Sequence, residues 1–260
     1  MRRAELASVW YRRIAYLLPS LSTVVIILLL LQLLLPVLKV PSFIFPLPST
    51  VLSLLLSSRI PWATHTWTTL SEALYGYGLA VVLGISLAVL IHLSKILRSI
   101  LEPIVLAAQV MPKVAFVPIL FLWLGLNFLP RVLTVFLVCF FPIVIDTTAG
   151  LGMADRDMVD LVRSFTSSRL VMLSKVSFPS ALPSIFSGLK ISITLALLGA
   201  IVAEFISSDT GLGYLIFSAQ TQLNTTLAFA SAGILVLLGF LLYGVLLGVE
   251  RVAIPWRERN

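Results

Sequence analysis

The sequence is poor in charge: only 11% of its 260 residues are Asp, Glu, Lys or Arg, whereas 59% are hydrophobic. Its mean hydropathy of +1.09 lies far above that of soluble globular domains. A water-soluble fold is thereby excluded for most of the chain. No segment is long enough for a soluble domain, and no low-complexity tract or internal repeat is detected, so a single membrane domain is expected over residues 1–260.

Cysteine and histidine are scarce as well. Cys139 is the only cysteine, which excludes an intramolecular disulfide and a cysteine-based metal cluster. The two histidines, His65 and His92, are predicted on opposite sides of the membrane, and neither a G-x-S-x-G elbow nor a paired acidic motif occurs within a span. A P-loop is also absent. The sequence therefore predicts no catalytic residue, no metal and no cofactor, and it disfavours an intramembrane enzyme.

Six apolar stretches are each long enough for a transmembrane helix, which needs about 20 residues to cross a hydrocarbon core of about 30 Å. They lie near residues 17–38, 70–93, 101–126, 132–153, 181–206 and 227–249. The predicted fold class is an all-α membrane protein of about six transmembrane helices. The first stretch is predicted to be a retained helix, because it is longer than a signal peptide and no A-x-A-like site follows it.

The basic residues are distributed unevenly over the predicted loops. With the N-terminus placed inside, thirteen of the 18 Lys and Arg residues fall on one side and three on the other, while Lys113 and Lys190 lie within or at the ends of spans. Cytoplasmic loops carry such an excess, so both termini are predicted to be cytoplasmic. The net charge of +7 is explained by basic loops that lie against the anionic cytoplasmic leaflet, so no nucleic-acid partner is expected.

The third predicted span contains three prolines, Pro103, Pro112 and Pro118, with Lys113 beside the second of them. Each interior proline removes a backbone hydrogen bond, and the carbonyl that it frees must face protein or a water-filled cavity. Pro112, Lys113 and Pro118 are therefore candidates for the wall of a solute pathway. The alternative is a proline kink satisfied by neighbouring helices, with the lysine reaching towards the membrane surface.

Glu204 is a carboxylate near the outer end of the fifth predicted span. An ionisable residue inside a span is costly, so it usually has a partner. Glu204 could contact a solute or a partner protein. It could instead accept hydrogen bonds from the backbone amides of residues 211–213, and this structural role is the favoured one.

A polar, charge-rich segment, residues 154–178, separates the fourth predicted span from the fifth. An acidic N-cap begins a first short helix, in which an apolar stripe recurs at every third position: Val159, Val162 and Phe165. A second short helix is predicted from Ser167 to Pro179. Such amphipathic helices could lie flat on the bilayer or bind in a groove of a cytoplasmic partner.

The residues of this segment form a recognisable order. Residues 160–166 read Asp-Leu-Val-Arg-Ser-Phe-Thr, and they are followed by Arg169, Lys175, Pro179 and the stretch Ala-Leu-Pro-Ser-Ile-Phe-Ser-Gly-Leu-Lys-Ile at residues 181–191. This order resembles the EAA loop of binding-protein-dependent ABC importer permeases. Further motifs in the order of the nitrate, sulfonate and taurine branch are Pro-Leu-Pro-Ser at 46–49, Met-Pro-Lys-Val-Ala at 111–115, Trp-Leu-Gly at 123–125, Ala203-Glu204 and Gly-Leu-Gly at 211–213.

The resemblance implies a permease with a family-like core at residues 46–250 and a coupling loop at 154–178, formed by two short cytoplasmic helices between the fourth and fifth spans. It also implies that the chain lies in the cell membrane and has as partners two ATP-binding subunits, a second copy of itself and an extracytoplasmic solute-binding protein. The coupling surface would be formed by Asp160, Arg163, Ser164, Phe165, Thr166 and Arg169. Thr166 stands where the family has glycine, and because a β-branched residue disfavours positive φ, an ordinary turn capped by Thr166 or Ser167 is expected between the two helices.

The cargo that the resemblance implies is a small solute such as nitrate, a sulfonate or taurine. The same branch also includes permeases for riboflavin and for pyrimidine precursors of thiamine, which remain alternatives. A self-sufficient carrier is a more distant alternative, because no inverted or parallel repeat is detected in the sequence.

Overall fold

The structure is a computed structural model that describes residues 22–165 and 168–256, apart from the side chain of Arg156. Within these ranges the chain consists of helices and short connections, without a strand. The predicted all-α fold is thereby confirmed. The described residues form two compact units, one of residues 22–60 with Ser218–Ala230 and one of residues 61–165, 168–217 and 231–256.

The first unit begins with two helices, α1 (Ser22–Val37) and α2 (Pro48–Leu56). Pro48 lies in the first turn of α2, where its missing N–H removes no helical hydrogen bond. The side-chain amide of Gln32 donates to Ser49 Oγ at 3.0 Å, and the backbone N–H of Ser49 donates to Gln32 Oε1 at 3.0 Å. These reciprocal bonds hold α2 beside α1.

The other helices follow in chain order. They are α3 (Trp62–Leu93), α4 (Lys95–Val110), α5 (Val117–Leu124), α6 (Phe128–Gly152), α7 (Arg156–Phe165), α8 (Arg169–Met172), α9 (Phe178–Ser207), α10 (Leu212–Thr221) and α11 (Thr225–Ala253). Residues 218–230, in α10 and α11, belong to the first unit.

Four helices of the described residues are long and apolar enough to cross a membrane, namely Trp62–Leu93, Phe128–Gly152, Arg169–Ser207 and Thr225–Ala253. A bent pair, Lys95–Val110 with Lys113–Leu124, makes a fifth if it counts as one span. The helix α1 is apolar but shorter, and the predicted first span, 17–38, begins outside the described residues. The predicted number of about six spans therefore stays a prediction.

The third predicted span, 101–126, is not one continuous helix. It begins earlier, at Lys95, and its two parts meet at an angle of 86°. Met111 is extended, with φ −63° and ψ 138°, because the ring of the following Pro112 excludes a helical conformation there. A short 3₁₀ turn, Lys113–Phe116, then leads into α5, where Pro118 occupies the first turn.

The second short helix of the polar segment does not end at Pro179 as predicted. It continues through a π-helical turn, Leu173–Ser177, into α9, so that Arg169–Ser207 form one element of 39 residues. Pro179 falls at the start of α9, directly after this turn. The wider π turn leaves a position without the usual backbone hydrogen bond, and a proline can occupy such a position without breaking the helix.

The second unit is built around α6, which packs along both α9 and α3. Glycines allow these helices to approach closely: a Cβ on Gly199 would lie 3.0 Å from the Cα of Val135, and one on Gly76 would overlap the Val135 side chain. The hydroxyl of Ser192 donates to the carbonyl of Cys139 at 2.9 Å. Small residues and interhelical hydrogen bonds are what holds helices together where lipid removes the hydrophobic driving force.

Candidate functional site

A polar cluster lies at the end of the second unit where α3 and α6 begin and α9 ends. We define it by five side chains: His65, Thr69, Glu72, Arg131 and Glu204. All except Arg131 are buried, in a part of the chain that is otherwise strongly apolar. Buried polar groups need hydrogen-bond partners, so the bonds of this cluster fix the conformation of the backbone beside it.

Glu204, near the end of α9, connects this helix to α3 and to the turn that follows it. The hydroxyl of Thr69 donates to Glu204 Oε1 at 2.6 Å, and the backbone N–H of Gly213 donates to Glu204 Oε2 at 2.5 Å. Thr69 in turn accepts from the N–H of Leu212 at 2.8 Å, and His65 Nδ1 accepts from the N–H of Gly211 at 3.0 Å. The amides of residues 211–213 are therefore all bound by side chains of the cluster, as the structural interpretation of Glu204 requires.

Sequence reasoning missed the second carboxylate of the cluster. Glu72 is 0% exposed, and its Oε1 lies 2.7 Å from Arg131 Nη1. The same Nη1 also donates to the hydroxyl of Ser208 at 3.3 Å, which links the ion pair to the turn after α9. Glu72 lies inside a predicted span, so the argument that singled out Glu204 applied equally to it.

The bend between α4 and α5 contains the predicted pathway residues Pro112, Lys113 and Pro118. Lys113 is half-buried; its ammonium donates to the carbonyl of Gln109 at 2.8 Å and lies 5.0 Å from the ring centroid of Phe141. The ammonium thus satisfies one carbonyl of α4 near its end, where a cation also complements the helix dipole. Pro112 and Pro118 are exposed on either side of this turn.

The predicted coupling residues lie at the opposite end of α3, on α7 and α8. Asp160 and Arg163 form an exposed pair at 3.6 Å, and the hydroxyl of Ser164 donates to the carbonyl of Leu161 at 2.6 Å. Thr166 lies outside the described residues. The guanidinium of Arg169 donates to the carbonyl of Leu93 at 3.0 Å, which joins the start of α8 to the last turn of α3.

The helix α7 has two apolar faces. Val159 and Val162 are half-buried, whereas Met158, Leu161 and Phe165 are exposed and follow one another at spacings of three and four residues. Phe165 is 82% exposed. A helix of this kind presents one apolar stripe to its own protein and a second one outwards.

Three predicted groups are thus separate in space. Glu204 belongs to the polar cluster, Lys113 with its two prolines to the bend, and the coupling residues to the other end of α3. Among the described residues, no group of His, Cys, Asp and Glu side chains could hold a metal ion. The polar cluster contains no arrangement of a nucleophile with a base. Its side chains bind the backbone amides of residues 211–213 and so hold the turn after α9, and this role is called the backbone tie below.

Residues 80–251 match the family described as the inner membrane component of binding-protein-dependent transport systems. The chain belongs to this family. A probable ABC transporter permease of Haemophilus influenzae is 34% identical over 228 residues, which cover 87% of this permease and 93% of that protein. The formylaminopyrimidine transport permease of Halalkalibacterium halodurans is 33% identical over 197 residues, covering 76% and 79%. Further relatives are named for transport of riboflavin, aliphatic sulfonates, taurine and bicarbonate.

The fold agrees with a solved structure of the same class. The inward-facing MetNI methionine ABC transporter matches with a TM-score of 0.65 at 17% identity, over 76% of this permease and 99% of that chain. The resemblance found in the sequence is confirmed. This permease is a multi-pass inner-membrane subunit of an ABC importer, a transport subunit rather than an enzyme, and its partners are ATP-binding subunits and a solute-binding protein.

Proposed function

We propose that this permease imports a small solute of the nitrate, sulfonate or taurine kind, with riboflavin and pyrimidine precursors of thiamine as the alternative cargo. Relatives named for aliphatic sulfonates and taurine support the first group, at 30% and 29% identity. Relatives named for riboflavin and formylaminopyrimidine support the second, at 34% and 33%. Differences of this size favour neither group.

ATP hydrolysis drives transport through α7 and α8, which together form the coupling surface. The observation that carries this proposal is the exposed apolar stripe of α7, Met158, Leu161 and Phe165. Its spacing suits a helix that binds in a groove of a partner, where such positions act as anchors. The bond from Arg169 to Leu93 would carry a displacement of this segment directly into α3.

The transporter contains two copies of the permease and two ATP-binding subunits. The described residues of one copy offer four or five candidate spans and a single coupling segment, which is too little to enclose a pathway symmetrically. A pathway on a two-fold axis between two copies supplies the missing wall. Each copy would then bind one ATP-binding subunit.

Both termini of the permease are cytoplasmic, as is the coupling segment, and cysteine labelling tests this orientation. Cys139 is the only native cysteine and is fully buried, so a membrane-impermeant maleimide reports only on cysteines that are introduced. In intact cells, Arg59→Cys is expected to react, whereas Lys95→Cys is expected to react only after the membrane is opened. The reverse pattern would contradict the orientation.

The docking role of α7 predicts that Phe165→Asp lowers recovery of the ATP-binding subunit at least tenfold when the tagged permease is purified in mild detergent. A charge at an anchor position would have to be buried without a partner on docking. Val252→Asp is the matched control, because Val252 is 83% exposed and Phe165 is 82% exposed, and Val252 lies at the end of α11 outside the coupling segment.

Intact mass measurement of the purified complex counts the copies of each subunit. Loss of the ATP-binding subunit with Phe165→Asp alone is the expected result, with normal membrane insertion of both variants. Full recovery with Phe165→Asp would contradict docking through α7 and favour a position of this helix on the bilayer surface. Equal loss with Val252→Asp would mean that the loss is not specific to α7, which would also contradict the docking role. A wild-type permease recovered alone would contradict the proposed assembly.

A further inference from the structure

One cavity of the second unit contains two opposite charges that do not pair with each other. It has a volume of about 410 Å³, which lies within the range of about 300 to 1,000 Å³ of small-molecule sites. The bend after α4 and the middle parts of α6 and α9 form its walls. Most of the lining is apolar, and its polar side chains are Gln109, Lys113 and Asp146.

Asp146 is the unusual member of this lining. It lies within α6, a membrane-spanning helix, and is half-buried. Among the described residues no hydrogen bond or ion pair to its carboxylate is found. An intramembrane carboxylate is costly unless it has a partner or faces a watery cavity, and such residues mark solute and ion pathways.

The backbone of α9 leaves room for this carboxylate at one point. A Cβ on Gly188 would lie 2.9 Å from the Cβ of Asp146 and 3.2 Å from its Oδ2. Only a residue without a side chain fits there while Asp146 keeps its place. The carboxylate is thus positioned by close packing, although it makes no bond that would explain its presence.

Lys113 faces the same cavity from the bend. Its ammonium has a backbone carbonyl and an aromatic ring as neighbours, but the described residues provide no carboxylate for it. A cation and an anion that line one cavity without touching leave space for a bound molecule that carries complementary groups at its two ends. Anionic groups suit Lys113, and groups that donate a hydrogen bond suit Asp146.

We infer that this cavity is a solute contact site of the translocation pathway, in which Asp146 accepts a hydrogen bond from an N–H group of the solute and Lys113 binds its anionic or hydrogen-bond-accepting end. This inference rests on the proposed importer function and narrows its substrate class. Taurine, aminopyrimidines and flavins carry N–H groups. Nitrate and alkanesulfonates carry no hydrogen-bond donor and bicarbonate has only a hydroxyl, and the Asp146 carboxylate would repel all three anions.

The test uses the complete transporter, reconstituted in liposomes with its ATP-binding subunits and its binding protein. The labelled probes are taurine, formylaminopyrimidine and riboflavin on one hand and ethanesulfonate, bicarbonate and nitrate on the other. Taurine and ethanesulfonate form a matched pair that differs only in the amino group. The wild type is expected to import a probe of the first set and none of the second.

Asp146→Asn keeps the size of the side chain and removes its charge, and it is expected to lower uptake of the imported probe at least tenfold. Its melting temperature in detergent is expected to be unchanged or higher, because an unpaired charge is removed from the interior of a span; a purely structural residue would lower it. Asp209→Asn, an exposed aspartate outside the cavity, is the control and is expected to retain wild-type uptake.

Import of a probe without N–H groups, failure to import any probe that has them, or wild-type uptake by Asp146→Asn would each overturn the inference. Failure of the proposed function has a different signature. In that case the wild-type permease does not bind the ATP-binding subunit, or the loaded binding protein does not stimulate ATP hydrolysis.

Discussion

Replacing Arg131 by methionine is expected to lower the free energy of unfolding of the solubilised permease by about 3 to 5 kcal/mol, because it leaves a buried carboxylate without its cation. Glu72 is fully buried, and Arg131 is 13% exposed, at a distance of 2.7 Å between Nη1 and Oε1. The pair is already incompletely satisfied, since Glu72 Oε2 and Arg131 Nε have no hydrogen-bond partner among the described residues. Denaturant unfolding in mixed micelles measures the loss.

Two controls separate charge from packing in this experiment. Arg98→Met removes an equivalent cation from the exposed pair Arg98–Glu102, whose side chains are 57% and 40% exposed, and is expected to cost less than about 1 kcal/mol. The double variant Glu72→Met with Arg131→Met is expected to recover most of the lost stability, because buried ion pairs can be replaced by apolar residues of similar volume. A double variant less stable than Arg131→Met would contradict this explanation.

The residues that sequence reasoning located best are those that violate the apolar pattern of a span. Glu204 was found in this way, and the contact with the N–H of Gly213 agrees with the role favoured for it. Its other partner, Thr69, is 135 positions away in the chain, and no local signal links the two. Glu72 carried the same signal within a predicted span, while Arg131 falls between the third and fourth predicted spans, where a basic residue attracts no attention. Which polar side chains pair across helices depends on how the helices pack, and the hydrophobic periodicity of the sequence carries no information about that.

The break of the third span shows a different limit. The prolines predicted that this helix is irregular, and the conformation required before Pro112 explains where it ends. The angle of 86° between the two parts is set elsewhere, because Val117 and Phe121 of α5 pack against Ala203 of α9. Local sequence can therefore place a bend, but the direction of the chain after it depends on a contact with a distant helix.

The polar segment 154–178 contains the first short helix that the sequence predicts. The acidic cap exists, since Asp155 Oδ1 accepts from the N–H of Asp157 at 2.9 Å, and the helix that follows ends at Phe165. The predicted end of the second short helix at Pro179 was wrong. A proline ends a helix because it interrupts the α-helical hydrogen-bond pattern, but Leu173–Ser177 form a π turn in which that pattern is already altered. A continuous element from Arg169 to Ser207 joins the second helix of the proposed coupling segment to the polar cluster at its other end.

The backbone tie in the turn after α9 depends on Gly211. Gly211→Ala is expected to lower the free energy of unfolding of the permease by about 2 to 5 kcal/mol, because it adds both backbone strain and overpacking. Gly211 has φ +118°, which side-chain-bearing residues rarely adopt, and a Cβ there would overlap the carboxylate of Glu204. Moving that carboxylate would break its bonds to Thr69 and to the N–H of Gly213.

Gly78→Ala is the matched control for this variant. Gly78 lies in α3, and a Cβ there would meet nothing within 4 Å, so the substitution is expected to leave stability unchanged or to raise it by about 0.5 to 1 kcal/mol through the better helix propensity of alanine. Both variants are compared by denaturant unfolding in the same micelles. Equal stability of Gly211→Ala and the wild type would contradict both the positive φ of Gly211 and the role of the polar cluster in holding the turn after α9.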